Sequence, residues 1–381
     1  MVENHHMITT FWPILKVFQL FGMFPIKKSS LTPYGFKAMS HKEYFIKMIS
    51  VFLLRKSLTV SLYSYIMLNY DTSIWEIYQA FFGMSVSFTD NSAFIGCTVV
   101  TILSTLSILI GNFSLKNDFT MLLKIFHGQS LKPVKQVVNS KALLLFLMIF
   151  WFVMNFFSIF LFTLTLIKNA EVHLLILLLC IIDFSINCFT VYGPTVGFLI
   201  MYCEVCQQLN YWISSLIQKI QSMEENFDSG ITNECLQLYL EGLKKSNQAF
   251  SRMILWITGA LLINLICSSF LAMSLLFDGI SISSILLLTS SLLFYGVFYF
   301  LNYLSQEVTD NVSKLKETIS ISSVIPYEEK FKVIENINTF NGFDGCGYFT
   351  LGKPHLTAIL SNFTTFIIVL IQFKIAEKQS I

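Results

Sequence analysis

Charge is what this sequence has least of. Only 13% of its 381 residues are Asp, Glu, Lys or Arg, about half the share usual in a soluble globular domain. Catalytic signatures are missing too. There is no glycine-rich phosphate loop, no His-Glu-x-x-His and no Gly-x-Ser-x-Gly. The six histidines, at 5, 6, 41, 127, 173 and 355, are scattered. Cys203-x-x-Cys206 is the one metal-like spacing, and it lacks the second pair or neighbouring histidine that zinc coordination needs. The sequence therefore implies no catalytic residue, no metal site and no cofactor. A net charge of +2 gives nucleic acid no electrostatic footprint.

Apolar surface is what the chain has in excess. Hydrophobic residues make up 54% of it, thirty-eight of them phenylalanine, and the mean hydropathy is +0.66. Lipid is the solvent such a composition suits. A spanning helix needs roughly 20 mostly apolar residues, and seven segments qualify: 47–69, 88–112, 142–167, 172–201, 253–277, 281–304 and 350–373. The first carries Arg55 and Lys56, whose aliphatic stems allow snorkelling. The stretch Thr10–Phe24 is shorter, contains Pro13 and Lys16, and has no small-residue cleavage site after it. It reads as an interfacial or packing helix.

The connections are of two kinds. Residues 168–171 and 278–280 are tight links, whereas 113–141, 202–252 and 305–349 are longer and polar. The 202–252 stretch has an amphipathic rhythm through Leu209, Ile213, Leu216, Ile217 and Ile220, a break at Asn226–Gly230, and a second such run. Spans four and five are thus expected to continue as helices beyond the bilayer. Pro326–Phe340 predicts a further amphipathic helix with proline at its start. The chain is expected to divide into a cytosolic N-terminal segment (1–46), a six-helix region (47–349) with cytosolic helical extensions at 113–141, 202–252 and 305–349, and a last helix with a short tail (350–381).

Basic residues set the orientation. With the N-terminus in the cytosol, the inside segments 1–47, 113–141, 202–252 and 305–353 carry twenty lysines and arginines, and the outside segments carry three, Lys168, Lys374 and Lys378. An odd number of spans then places the tail from Lys374 outside. No cysteine falls in an outside loop. The glycosylation sequons at Asn112, Asn311 and Asn362 lie at inner span ends or within a span.

The seventh span carries the pattern that matters most. On an ideal helix Thr350, Thr357, Ser361, Thr365, Ile368 and Gln372 fall within about 40° of one line. Small hydroxyls are common helix–helix glue in membranes. The same stripe also suits the wall of a water-lined pore, built by repeating this helix around an axis. Spacing leaves both open.

The run Gly345-Cys-Gly-Tyr-Phe-Thr-Leu351 followed by Thr365-Phe-Ile-Ile-Val-Leu-Ile-Gln-Phe373 resembles the end of insect gustatory receptors, whose signature there is Thr-Tyr, five hydrophobics, Gln-Phe. This chain has Phe366 in place of the tyrosine. The resemblance implies an all-α integral membrane protein of seven spans, a homo- or heterotetrameric, ligand-gated cation channel opened by a small-molecule tastant. It implies a place in the plasma membrane of gustatory sensory neurons. In that family the seventh helix lines the pore, and the cytosolic ends of helices four to seven anchor the subunits. Gln372 then faces the permeating ion and Phe373, 100° further round, supplies an aromatic seal.

Candidate ligand-site residues are intramembrane polar groups, which are costly to leave in lipid. Asp183 and Asn187 lie one turn apart in span four, Asn155 is central in span three and Asn264 in span five, and Asp90 is near the outer end of span two. Each could instead hold helices together. Two other classes fit less well. A G-protein-coupled receptor has the opposite charge bias and an acidic-Arg-Tyr triplet, where this chain has Lys168 and Asn169 after span three. A secondary transporter shows paired broken helices, and Gly193-Pro194 has no partner half.

Overall fold

A computed structural model describes residues 11–20, 24–29, 35–50, 88–127, 174–222, 229–278, 282–322 and 325–379, with scattered helical positions within 53–61 and 142–156. The described chain is mostly helix: α1 Trp12–Leu20, α2 over 41–50, α3 Phe88–His127, α4 Leu174–Ser222, α5 Ser229–Asp278, α6 Ile282–Ile321, α7 Tyr327–Asn338 and α8 Lys353–Gln379. The described residues also hold one two-stranded antiparallel hairpin, β1 Ile26–Lys28 with β2 Phe36–Ala38.

Length alone fixes much of the architecture. At 1.5 Å per residue α4 and α5 are each about 75 Å long, more than twice the ~30 Å hydrocarbon core of a bilayer. Both must emerge from it, as the amphipathic runs in 202–252 suggested. Two other helices also run on past the apolar spans. α3 continues past residue 112 to His127, and α6 continues past 304 to Ile321, because Leu115, Phe119, Leu122 and Val308, Val312, Leu315 keep an apolar face at helical spacing through otherwise polar sequence. Among the described residues three helices are long and apolar enough to cross a membrane: Glu234–Leu276, Ser284–Ile321 and Lys353–Ala376. The proposed spans 47–69 and 142–167 lie largely outside the described residues. The spans 88–112 and 172–201 fall within α3 and α4.

Among the described residues a dense core forms where α4 meets α3 and α5. α4 is buried on nearly every side from Val196 to Leu209, which marks a helix at the centre of a core. Tyr202 stacks on Phe198 at 5.8 Å and meets Phe250 of α5 edge-on at 5.4 Å. Trp212 meets Tyr239 of α5 at 5.4 Å and Phe126 of α3 at 6.2 Å, both edge to face. Such pairs contribute about 0.5–1.5 kcal/mol beyond the area they bury. Cys203 and Cys206 are both buried in this core. Asn112, fully buried, donates from Nδ2 to the carbonyl of Pro194 (3.1 Å) and ties α3 to α4.

Candidate functional site: an exposed helix on an anchored base

α8 differs from α5 and α6 in how little of it is covered. Its most apolar 18-residue stretch is 6% buried, against 61% and 50% for the corresponding stretches of α5 and α6. It touches the rest of the chain along one line. Ile359 and Lys374 are buried, and Phe363, Ile367 and Leu370 are half-buried between them. These five positions lie within about 80° on the helix wheel.

The polar stripe faces the other way. Thr357, Ser361, Thr365, Ile368 and Gln372 are all exposed, and their mean direction is about 160° from the attachment line. Two of the hydroxyls are satisfied by the helix itself. Thr357 Oγ1 donates to the Lys353 carbonyl (3.0 Å) and Thr365 Oγ1 to that of Ser361 (3.1 Å). Phe373 is 64% exposed beside Gln372, with Phe366 on the same flank at 55%.

The observed helix differs from the expected span at both ends. Thr350 is not on it: the helix starts at Lys353, and Thr350 is bridged instead to Asp344 in the preceding loop. The stripe therefore begins at Thr357. At the other end the helix does not stop at Phe373 but continues to Gln379. Lys374, expected to open a solvent-facing tail, is 2% exposed and makes a further interaction with the fold.

The base of α8 is capped by side chains from α6. The first N–H groups of a helix have no partner within it. Here Asn302 Oδ1 accepts from Gly352 N–H (2.8 Å) and Gln306 Oε1 from Lys353 N–H (3.0 Å). Pro354 has no N–H to satisfy. Asn302 Nδ2 donates to the Phe298 carbonyl (2.9 Å), which fixes its oxygen toward α8. His355 Nδ1 lies 3.1 Å from that oxygen and so carries the proton. The His355 ring stacks on Phe349 at 4.4 Å with 2° between planes. Gly352 has φ +151, and a Cβ there would sit 2.7 Å from Gln306 Oε1, so both the backbone and the cap require glycine.

One loop earlier, Asp344 is the hub. Its carboxylate accepts from Asn247 Nδ2, Ser251 Oγ and Gly347 N–H, while its own N–H donates to Asn247 Oδ1. Ser251 Oγ also accepts from Cys346 N–H (2.7 Å). Cys346 holds φ +55, a conformation uncommon outside glycine. The loop that precedes α8 is thereby fastened to α5 and α6 at separate points. Sequence reading saw the glycines as a break and missed Asn302, Gln306, Asn247, Ser251 and Asp344. The i, i+4 pairs Asn247/Ser251 and Asn302/Gln306 are the signal that was available.

Of the candidate ligand residues, Asn264 is buried, and its Nδ2 donates to the Ala260 carbonyl (2.9 Å) one turn back. Asp90 sits in the first turn of α3, and Asp183 and Asn187 sit in α4; their side chains lie outside the described residues, as does Asn155.

No protein-family model and no curated protein matches the sequence. Solved structures do match. The insect olfactory receptor OR5 from Machilis hrabei, in complex with eugenol, superposes with TM-score 0.64 over 96% of this chain and 98% of that one, at 10% identity. The fold is that of an insect olfactory receptor. The structure of OR5 described without that ligand gives TM-score 0.60 over the same shares of both chains. Both matched structures are of an olfactory receptor.

Proposed function

We propose that this chain is a subunit of a chemosensory, ligand-gated cation channel of the plasma membrane, with α8 as the pore wall. A gustatory role follows from the C-terminal signature rather than from the fold, which is shared with an olfactory receptor. The supporting observation is the direction of the polar stripe. A helix facing lipid has no use for an outward line of hydroxyls and an amide. A helix facing an aqueous axis between copies does. The small-molecule ligand of the matched receptor, eugenol, supports a tastant or odorant of similar size. Gating exchanges Phe373 for Gln372 at the axis by a turn of α8. Four aromatic rings would exclude water from the closed pore, and four amides would let hydrated cations pass.

The test is agonist-evoked current in an otherwise silent cell, with surface expression measured alongside. Phe373→Ala should leak without agonist. Gln372→Ala should stay closed at rest and change ion preference. Well-expressed Phe373→Ala receptors that remain silent without agonist, together with unchanged selectivity in Gln372→Ala, would refute the gate assignment.

A further inference from the structure

The N-terminal segment has no part in the pore reading, yet it is a built surface with an unbalanced charge. Residues 11–50 hold six lysines and a single acid, Glu43. α1 turns Leu15 and Phe18 into the core and leaves Lys16 and Val17 exposed. In the hairpin, Ile26 and Phe36 are buried, and the register sets Lys27 directly opposite Lys37. Like charges at directly opposed positions destabilise a ladder, and a lone two-stranded ladder is marginal without support. Glu43 answers Lys27, Oε2 to Nζ, at 2.9 Å and lies 3.6 Å from Lys47. Lys28 lies over the Trp12 ring at 5.2 Å. Lys37 and Lys42 have no ion-pair partner among the described residues.

α2 adds an apolar component. Tyr44 is buried, and the opposite face carries Phe45 (53% exposed) and Ile46 (51% exposed) on either side of Lys42. This face is held at a defined level. Tyr44 Oη donates to the Leu109 carbonyl (3.4 Å), and the buried Lys116 Nζ donates to the Met39 carbonyl (2.9 Å). Both anchors lie within about 6 Å along α3 of Asn112, where the second span ends. A basic, amphipathic surface at the end of a span has the chemistry of an interfacial helix on an anionic leaflet.

We propose that residues 35–50 dock on the anionic headgroups of the inner membrane leaflet, with Lys37 and Lys42 meeting the headgroups and Phe45 and Ile46 entering the acyl boundary. A second copy of this chain does not fit the surface, because it would bring the same excess of positive charge. The choice of inner leaflet rests on the cytosolic N-terminus; the attraction itself does not.

The test compares full-length receptor in nanodiscs of phosphatidylcholine with receptor in phosphatidylcholine mixed with phosphatidylserine. Amide exchange at Ile26–Lys28 and Phe36–Ala38 reports the opening of the hairpin. Phosphatidylserine should slow it by about fivefold for each lysine engaged, and high salt should reverse the effect. The exposed pair Lys37→Gln with Lys42→Gln should lose the slowing, and the distant control Lys244→Gln should keep it. No slowing in the wild type, or equal slowing in the double variant, overturns the proposal. So does equal slowing by soluble inositol hexakisphosphate in neutral discs, which would mark a site for free polyphosphate. Both leaflets of a nanodisc are alike, so this result is independent of sidedness. Staining of an N-terminal tag on unpermeabilised cells would overturn the leaflet assignment alone.

Discussion

Asn302→Ala should loosen the base of α8 without unfolding the receptor. The Asn302 oxygen satisfies Gly352 N–H, which is buried, and meets His355 Nδ1. Alanine leaves that N–H without a partner inside the protein, which costs about 1–3 kcal/mol. Asn302 also acts as a helix cap supplied from another helix, and capping is worth about 1 kcal/mol in its ordinary form. The two figures describe the same bond and do not add. A local destabilisation of that size raises amide exchange at Gly352, Lys353 and Leu356 by about 5- to 150-fold. Exchange in the α4–α5 core around Tyr202 and Trp212 should stay slow. If α8 is the pore wall, a looser base should also shift the agonist dose–response in receptors that reach the surface. Asn302→Asp keeps the acceptor oxygens and places a negative charge at a helix N-terminus, where it is favoured, so it should retain part of the protection. The reasoning is refuted if Asn302→Ala reaches the surface and exchanges at 352–356 as slowly as the wild type.

The second attachment should behave as a unit: Asp344→Ala removes the acceptor for Asn247, Ser251 and Gly347, and a double-mutant cycle with Asn247→Ala should show a coupling of about 0.5–3 kcal/mol. Independent, additive losses would count against a shared hub. The Glu43 carboxyl is held below its ordinary range, chiefly by its hydrogen bond to Lys27. Its contribution to the hairpin is thus fully present above the ordinary glutamate range and lost only as pH falls through the lowered value; hairpin exchange that loosens between neutral pH and pH ~5 would point to another group. Asp183→Asn and Asp183→Leu should each shift the agonist dose–response, the leucine more, and surface-expressed variants with wild-type curves would remove Asp183 from the ligand site.

What the sequence disclosed follows from which forces act locally. The helices were legible because apolar runs of bilayer length and 3.6-residue periodicity are written into consecutive residues, as in 253–277 and 326–340. The hydroxyl line on α8 was legible for the same reason, since one helix geometry places Thr357, Ser361, Thr365 and Gln372 together. Its direction was not. Whether that line faced its own chain or away from it depends on how α8 packs against α5 and α6, which are separate elements earlier in the chain. The ends of the helix were misjudged for a related reason. Thr350 continues the spacing of the stripe, but a bridge to Asp344 holds it in the loop. Lys374 looked like the first residue of a polar tail, yet packing carries the helix past it. The base was hidden most completely. Asn247, Ser251, Asn302 and Gln306 look like ordinary polar residues on long helices, and only the fold shows that Asn302 and Gln306 reach the N–H groups opening α8 while Asn247 and Ser251 reach those of the loop before it. If α8 gates a pore as proposed, these caps would hold its base while the rest of the helix turns. The glycine-rich loop and the stripe are on this reading two ends of one device, the first holding what the second moves.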